Sequence, residues 1–125
     1  MIVNKYELYA NDTDMLQIQL NDDLSSAICF YVQSNGYTGY GPIYLTEQSR
    51  RDVIAQLTIM QDSLTGTVVL KDEESVDYFF ELKFVGRDLF ASGCIGDYNF
   101  YRLQFRCQVD QTILQRLLSV MKKLK

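Results

Sequence analysis

From Tyr101 to Val109 apolar and polar side chains alternate without a fault: Tyr101, Leu103, Phe105, Cys107 and Val109 against Arg102, Gln104, Arg106 and Gln108. Such a period of two belongs to an extended strand with one buried face, because successive side chains in a strand point to opposite sides. The pattern also runs through Val76, Tyr78, Phe80, Leu82 and Phe84, with Asp77, Glu81 and Lys83 on the other side. It opens the chain too. Tyr6, Leu8 and Ala10 alternate with Glu7 and Tyr9, and after the turn Asn11-Asp12-Thr13-Asp14, Leu16, Ile18 and Leu20 alternate with Gln17 and Gln19. Strands joined by turns this short pair antiparallel.

The remaining segments fill in a plan. Ala27 to Gln33 is nearly all apolar, as befits a central strand covered on both faces. Asn35-Gly36-Tyr37-Thr38-Gly39-Tyr40-Gly41-Pro42 has the composition of a loop. Ser49, with Asp52 three residues on, predicts the cap of a helix whose apolar stripe is Val53, Ile54, Leu57 and Met60. Val68 and Leu70 lead to the tip Asp72-Glu73-Glu74-Ser75, which predicts an acidic hairpin. Gly86-Arg87-Asp88 and Gly96-Asp97-Tyr98-Asn99 bound a further strand, Leu89 to Ile95. Asp110 then caps a last helix with the stripe Ile113, Leu114, Leu117, Leu118, Met121 and Leu124, ending in Lys122, Lys123 and Lys125, where cations suit the helix dipole. The expected class is α+β: an antiparallel, curved sheet of about seven strands, β-β-β-α-β-β-β-β-α, with two amphipathic helices. A closed barrel and an open sheet satisfy the pattern equally. With one proline, no low-complexity stretch and no repeat at a fixed period, residues 1–125 read as a single domain.

Composition narrows the function. The chain has no histidine, the one side chain that titrates near neutrality unperturbed, and no glycine-rich phosphate loop. A non-enzyme is expected, with no cofactor and no metal. Cys29, Cys94 and Cys107 are odd in number, far apart and set among apolar residues, as reduced core thiols are. No charged-then-apolar leader opens the chain, and no apolar run approaches the ~20 residues that span a membrane. The expected setting is the cytoplasm, without a membrane partner.

The net charge of −4 is unevenly spread. Residues 1–46 set Glu7, Asp12, Asp14, Asp22 and Asp23 against Lys5, and residues 72–88 set Asp72, Glu73, Glu74, Asp77, Glu81 and Asp88 against Lys83 and Arg87. Each stretch sums to −4, whereas residues 89–125 sum to +4. Acidic surfaces of this kind repel nucleic acid and attract basic partners.

The run Leu103-Gln-Phe-Arg-Cys-Gln-Val-Asp110-Gln111-Thr112-Ile-Leu114-Gln-Arg-Leu117-Leu118 resembles the closing strand and helix of the WapI-type immunity proteins of bacterial toxin loci. Phe80 to Phe84, a turn and Ala91-Ser92-Gly93 resemble that family's central hairpins. The resemblance covers mainly residues 64–120, and more loosely the helix at 49–60. It implies a cytoplasmic protein that binds and neutralises a toxin delivered by a neighbouring cell. It carries no catalytic residues, and because toxin contacts in the family vary from pair to pair, contact residues follow from the physical reading.

On that reading Asp72, Glu73, Glu74 and Asp77 are the first candidates for binding a toxin: if the toxin is a nuclease, its cleft is basic, and carboxylates on a hairpin imitate phosphates. A solvated hairpin tip has the same composition. Asp22 and Asp23 form a second cluster, explained equally by a turn. Tyr37 and Tyr40, with Tyr44, are candidate interface anchors, or a cluster folded over the sheet edge. Arg50 and Arg51 in a first helical turn oppose the helix dipole. The expected partner is therefore a toxin domain with a basic surface, bound one to one by a monomer. The alternatives are an acidic secretion chaperone for an effector protein and a small-ligand-binding domain.

Overall fold

The computed structural model describes residues 3–21, 27–96 and 102–124. The elements are β1 (Val3–Ala10), β2 (Asp14–Asn21), β3 (Ala27–Ser34), β4 (Tyr37–Tyr44), α1 (Glu47–Ser63), β5 (Thr67–Lys71), β6 (Phe79–Val85), β7 (Asp88–Gly96), β8 (Arg102–Val109) and α2 (Thr112–Met121). The class is α+β. The strands form two four-stranded antiparallel sheets, ordered β1-β2-β3-β4 and β5-β6-β7-β8, where the sequence pattern predicts one curved sheet of seven. Each half of the chain is thus a four-stranded meander followed by a helix.

The difference begins at residues 35–42, where a two-residue turn leads into strand from Tyr37 and not into a loop. Asn35 and Gly36 have φ of 52° and 86°, the two left-handed residues that a type I′ hairpin turn requires. The turn sets Tyr37 opposite Ser34 and lays β4 along β3 as far as Tyr44 opposite Ala27. Glycines inside β4 answer a packing demand instead. A Cβ on Gly41 would collide with the carbonyl oxygen of Gly96, and one on Gly39 would lie 2.6 Å from Leu103 Cβ. β4 therefore crosses the end of β7 and the start of β8 at backbone distance. Pro42 is tolerated there because β4 is an edge strand.

The two sheets share one core. Phe30 of β3 stacks on Phe80 of β6 with ring centroids 4.7 Å apart, and Phe80 meets Phe105 of β8 at 6.2 Å. Inward-facing Leu16, Ile18, Val32, Leu70 and Leu82 are buried around them, as period-two alternation requires. α1 buries Val53, Leu57 and Met60, and α2 buries Ile113, Leu114, Leu117, Leu118, Val120 and Met121. The helices lie against each other, α1 beside β5 and α2 beside β1, so each packs along the opening strand of the other half. Among the described residues no helix is long and apolar enough to cross a membrane.

Both helix starts shift from expectation. Thr46 and not Ser49 caps α1: its side chain accepts the Ser49 N–H at 3.0 Å, which makes Ser49 the third helical residue. At α2 the N-cap is Gln111 and not Asp110, and its side chain makes no capping bond; the Asp110 carboxylate, one residue earlier, accepts the Thr112 N–H at 2.9 Å.

Candidate functional site

The acidic run at 72–77 is no protruding hairpin tip. β5 ends at Lys71 and β6 begins only at Phe79, so Val76 is not part of the alternating strand. Asp72 turns inward and is 6% exposed. Its carboxylate accepts the Tyr44 N–H at 2.7 Å, its own N–H donates to Tyr78 O, and the Glu73 N–H donates to Tyr44 O at 2.9 Å. Two of these hydrogen bonds clamp the segment to Tyr44 at the end of β4, and the third closes the segment on itself. Asp72 is accordingly a structural carboxylate, held by the main chain at the edge of a groove beside α1.

The other acids remain outside. The Glu73 carboxylate accepts the Ser49 hydroxyl proton at 2.9 Å, which places negative charge by the first turn of α1, where the helix dipole favours it. Asp77 stands 4.0 Å from Arg102, an exposed pair that leaves its carboxylate in water. Glu74 is also exposed, and Val76, among these acids, is 82% exposed. Asp22 and Asp23 lie outside the described residues.

This segment forms one wall of a groove of about 630 Å³. Its second wall is α1, through Ser49, Asp52, Val53 and Gln56, and its floor is β5 from Thr67 to Lys71. Val69 and Val76 are apolar and exposed at its margin. A second groove, about 610 Å³, lies in the equivalent place in the other half, between β1 (Lys5, Tyr6, Glu7) and α2 (Thr112, Gln115, Arg116, Ser119). It is differently furnished. The Arg116 guanidinium donates to Leu8 O at 3.3 Å across it, and the Lys123 ammonium stands 5.5 Å from the centre of the Tyr6 ring.

The tyrosines occupy a different face. Tyr40 lies on the outer side of β4, its ring 6.3 Å from that of Tyr31, and its hydroxyl donates to Cys29. Burial pushes the Tyr40 hydroxyl and the Cys29 thiol both up, and Cys29 raises Tyr40 further. Tyr40 is still 48% exposed, and Tyr37, next to the hairpin turn, is 71% exposed. Gln33 donates to the Tyr31 hydroxyl and Gln19 to Gln17, making an uncharged tyrosine and glutamine surface. Neither Tyr37 nor Tyr40 lines the groove that Asp72 and Glu73 border.

The basic C-terminal third is largely engaged within the molecule. Arg102 pairs with Asp77, the Arg106 guanidinium covers the Phe90 ring at 4.1 Å, and Arg116 and Lys123 serve the second groove. Arg51 likewise answers Glu47 one turn earlier on α1. The three cysteines are free thiols, Cys94 and Cys107 buried and Cys29 half-buried. Among the described residues no three acids or thiols are grouped as metal ligands are.

Sequence reading missed Asp52, Val53, Thr67 and Val69 as parts of a site. One signal was present: Val68-Val69 breaks the alternation of β5, placing a valine where the outer face should be polar. Compared with protein-family models, curated proteins and solved structures, the chain has no significant match to any.

Proposed function

We propose that the chain is an immunity protein that binds a cognate bacterial toxin domain with a basic surface and occludes it one to one. What carries the reading is Val76, exposed between the carboxylates of Glu73, Glu74 and Asp77 on a segment clamped at Asp72. An apolar anchor ringed by like charges suits a partner that presents a cavity with a basic rim. The clamp supports it, because an ordered contact loop avoids the entropy cost of ordering on binding. If the toxin acts on nucleic acid, the same basic rim holds phosphates, and the carboxylates take their place.

The test is to search the neighbouring genes for a secreted protein with a toxic C-terminal domain and to co-express that domain with this chain, followed by binding kinetics. Protection of the host cell is expected, together with association that slows about tenfold when Glu73, Glu74 and Asp77 become Gln, Gln and Asn at low salt. Unchanged killing by the toxin would overturn the function; unchanged association by the triple variant would overturn the surface.

A further inference from the structure

We infer that strand β5 is an open edge built to take an extended, lysine- or arginine-bearing segment of a partner protein as an added strand in the groove beside α1. The inference rests on the chain being a binding protein, but not on the partner being a toxin.

Backbone parity identifies the free groups. The Phe84 N–H donates to Gly66 O at one end of the β5–β6 pair, and the Asp72 N–H donates to Tyr78 O at the other. Between them the register is unbroken, Thr67 opposite Lys83 through Lys71 opposite Phe79. Antiparallel pairs alternate between bonded and non-bonded positions, so Gly66, Val68, Leu70 and Asp72 bond to β6. The N–H and C=O groups of Thr67, Val69 and Lys71 then point away from β6. The five residues of β5, Thr67–Lys71, run for about 13 Å at roughly 3.3 Å each. The next outward group, the Glu73 N–H, is already taken by Tyr44 O, so the end of β4 performs at residue 73 what a further strand would perform at 67–71.

The equivalent strand in the other half shows what a closed edge looks like here. β1 carries an irregularity between Glu7 and Tyr9, and Arg116 covers Leu8 O. Bulges and inward-reaching charges are two of the ways in which proteins blunt an edge. β5 has neither. Its register is regular, and the α1 side chains facing the groove, Ser49, Asp52, Val53 and Gln56, are short or uncharged except for Asp52.

Charge and polarity specify the segment. The groove presents the carboxylates of Asp52 and Glu73 against Lys71, with Glu74 and Asp77 beyond Val76, so it favours cationic side chains. Val53 and Val68 within it, and Val69 and Val76 at its margin, favour apolar ones. An added strand shows alternate side chains to opposite faces, so a segment alternating basic and apolar residues meets both demands.

The probe is an acetylated peptide of alternating lysine and valine, about nine residues long, with a glutamate-for-lysine counterpart. The readout is amide exchange and chemical shift in the full chain. Binding of the lysine peptide with new protection of the Thr67, Val69 and Lys71 amides is expected, and binding of the glutamate peptide at least about tenfold weaker. Val69→Pro removes an outward N–H without touching the β6 ladder, and should lower affinity by about tenfold while leaving the melting temperature within a few degrees. Asp52→Lys gives a second measure, independent of any backbone effect, with the same loss expected.

Protection at β1 or on the Tyr40 face, equal affinity for both peptides, or no protection at saturating peptide would overturn the inference. So would a concentration-dependent dimer that protects the β5 amides without peptide, which would assign the edge to a second copy of this chain. Failure of toxin neutralisation with peptide protection intact would remove the immunity reading alone.

Discussion

The Asp72 carboxylate holds the Tyr44 backbone N–H at 2.7 Å, joining positions 28 residues apart and tying the end of the first sheet to the exit of the first strand of the second. A buried carboxylate that accepts a main-chain proton is costly to remove, because the orphaned N–H then remains without a partner. Asp72→Ala should therefore lower unfolding free energy by about 2–3 kcal/mol in urea titration, and Asp72→Asn, which keeps an acceptor, by about 1 kcal/mol. Equal losses for both would show that the charge, not the hydrogen bond, is what matters.

Two glycines five residues apart, one in the turn before β4 and one within it, should respond differently to the same methyl group. Gly41→Ala drives Cβ into the Gly96 carbonyl and is expected to cost about 3 kcal/mol, with the β4 crossing displaced. Gly36→Ala meets open space, but its φ of 86° strains an L-residue, for a loss of about 1 kcal/mol. Thermal melts of the two variants, read side by side, check the ranking.

The Phe30–Phe80 stack predicts an energetic coupling between the sheets. Single replacements by Ala should each cost about 3–5 kcal/mol. The double-mutant cycle should leave about 0.5–1.5 kcal/mol shared between the rings beyond the separate losses. Strict additivity in denaturant titrations would mean that the rings stabilise their own sheets separately.

The thiols give a dependence on pH. Burial pushes Cys107 up from 9.0 to about 11, with the nearby Asp14 carboxylate adding to the effect. Because the folded value exceeds the unfolded one, the thiol's contribution to stability is complete below pH 9 and is lost as pH rises through about 11. Stability should fall across that window, and less steeply in Cys107→Ala. Burial raises Cys29 and Cys94 as well, although a hydrogen bond from Tyr40 opposes it at Cys29. Alkylation of the native chain followed by mass spectrometry should therefore label half-buried Cys29 first.

Strand β8 and the run Phe80–Phe84 are legible because one buried face imposes a period of two on every residue. Strand β4 is not, because two of its three inward positions are Gly39 and Gly41, where Leu103 and the Gly96 backbone approach too closely for a side chain, and only Ile43 carries an apolar signal. Asn35-Gly36 nevertheless carried a turn signal strong enough to outweigh its glycine-rich surroundings. The likeness between the halves leaves no trace as a sequence period, since α1 has 17 residues and α2 has 10. In the acidic run nothing local distinguishes Asp72, which turns inward, from Glu74, which does not. The distinction is made by Tyr44, far away in the chain. Tyr37 and Tyr40 are exposed as interface anchors would be, yet neither borders the groove that Glu73 lines.

The exchange of helices between halves has a consequence for synthesis on the ribosome. When Leu64 has emerged, four strands and α1 are complete, but β5, the strand beside which α1 settles, has yet to be made. Until then Val53, Leu57 and Met60 lack part of their cover, and only the last helix, closing beside β1, finishes the first half. A strand made before all the others described is thus sealed by the helix made after them.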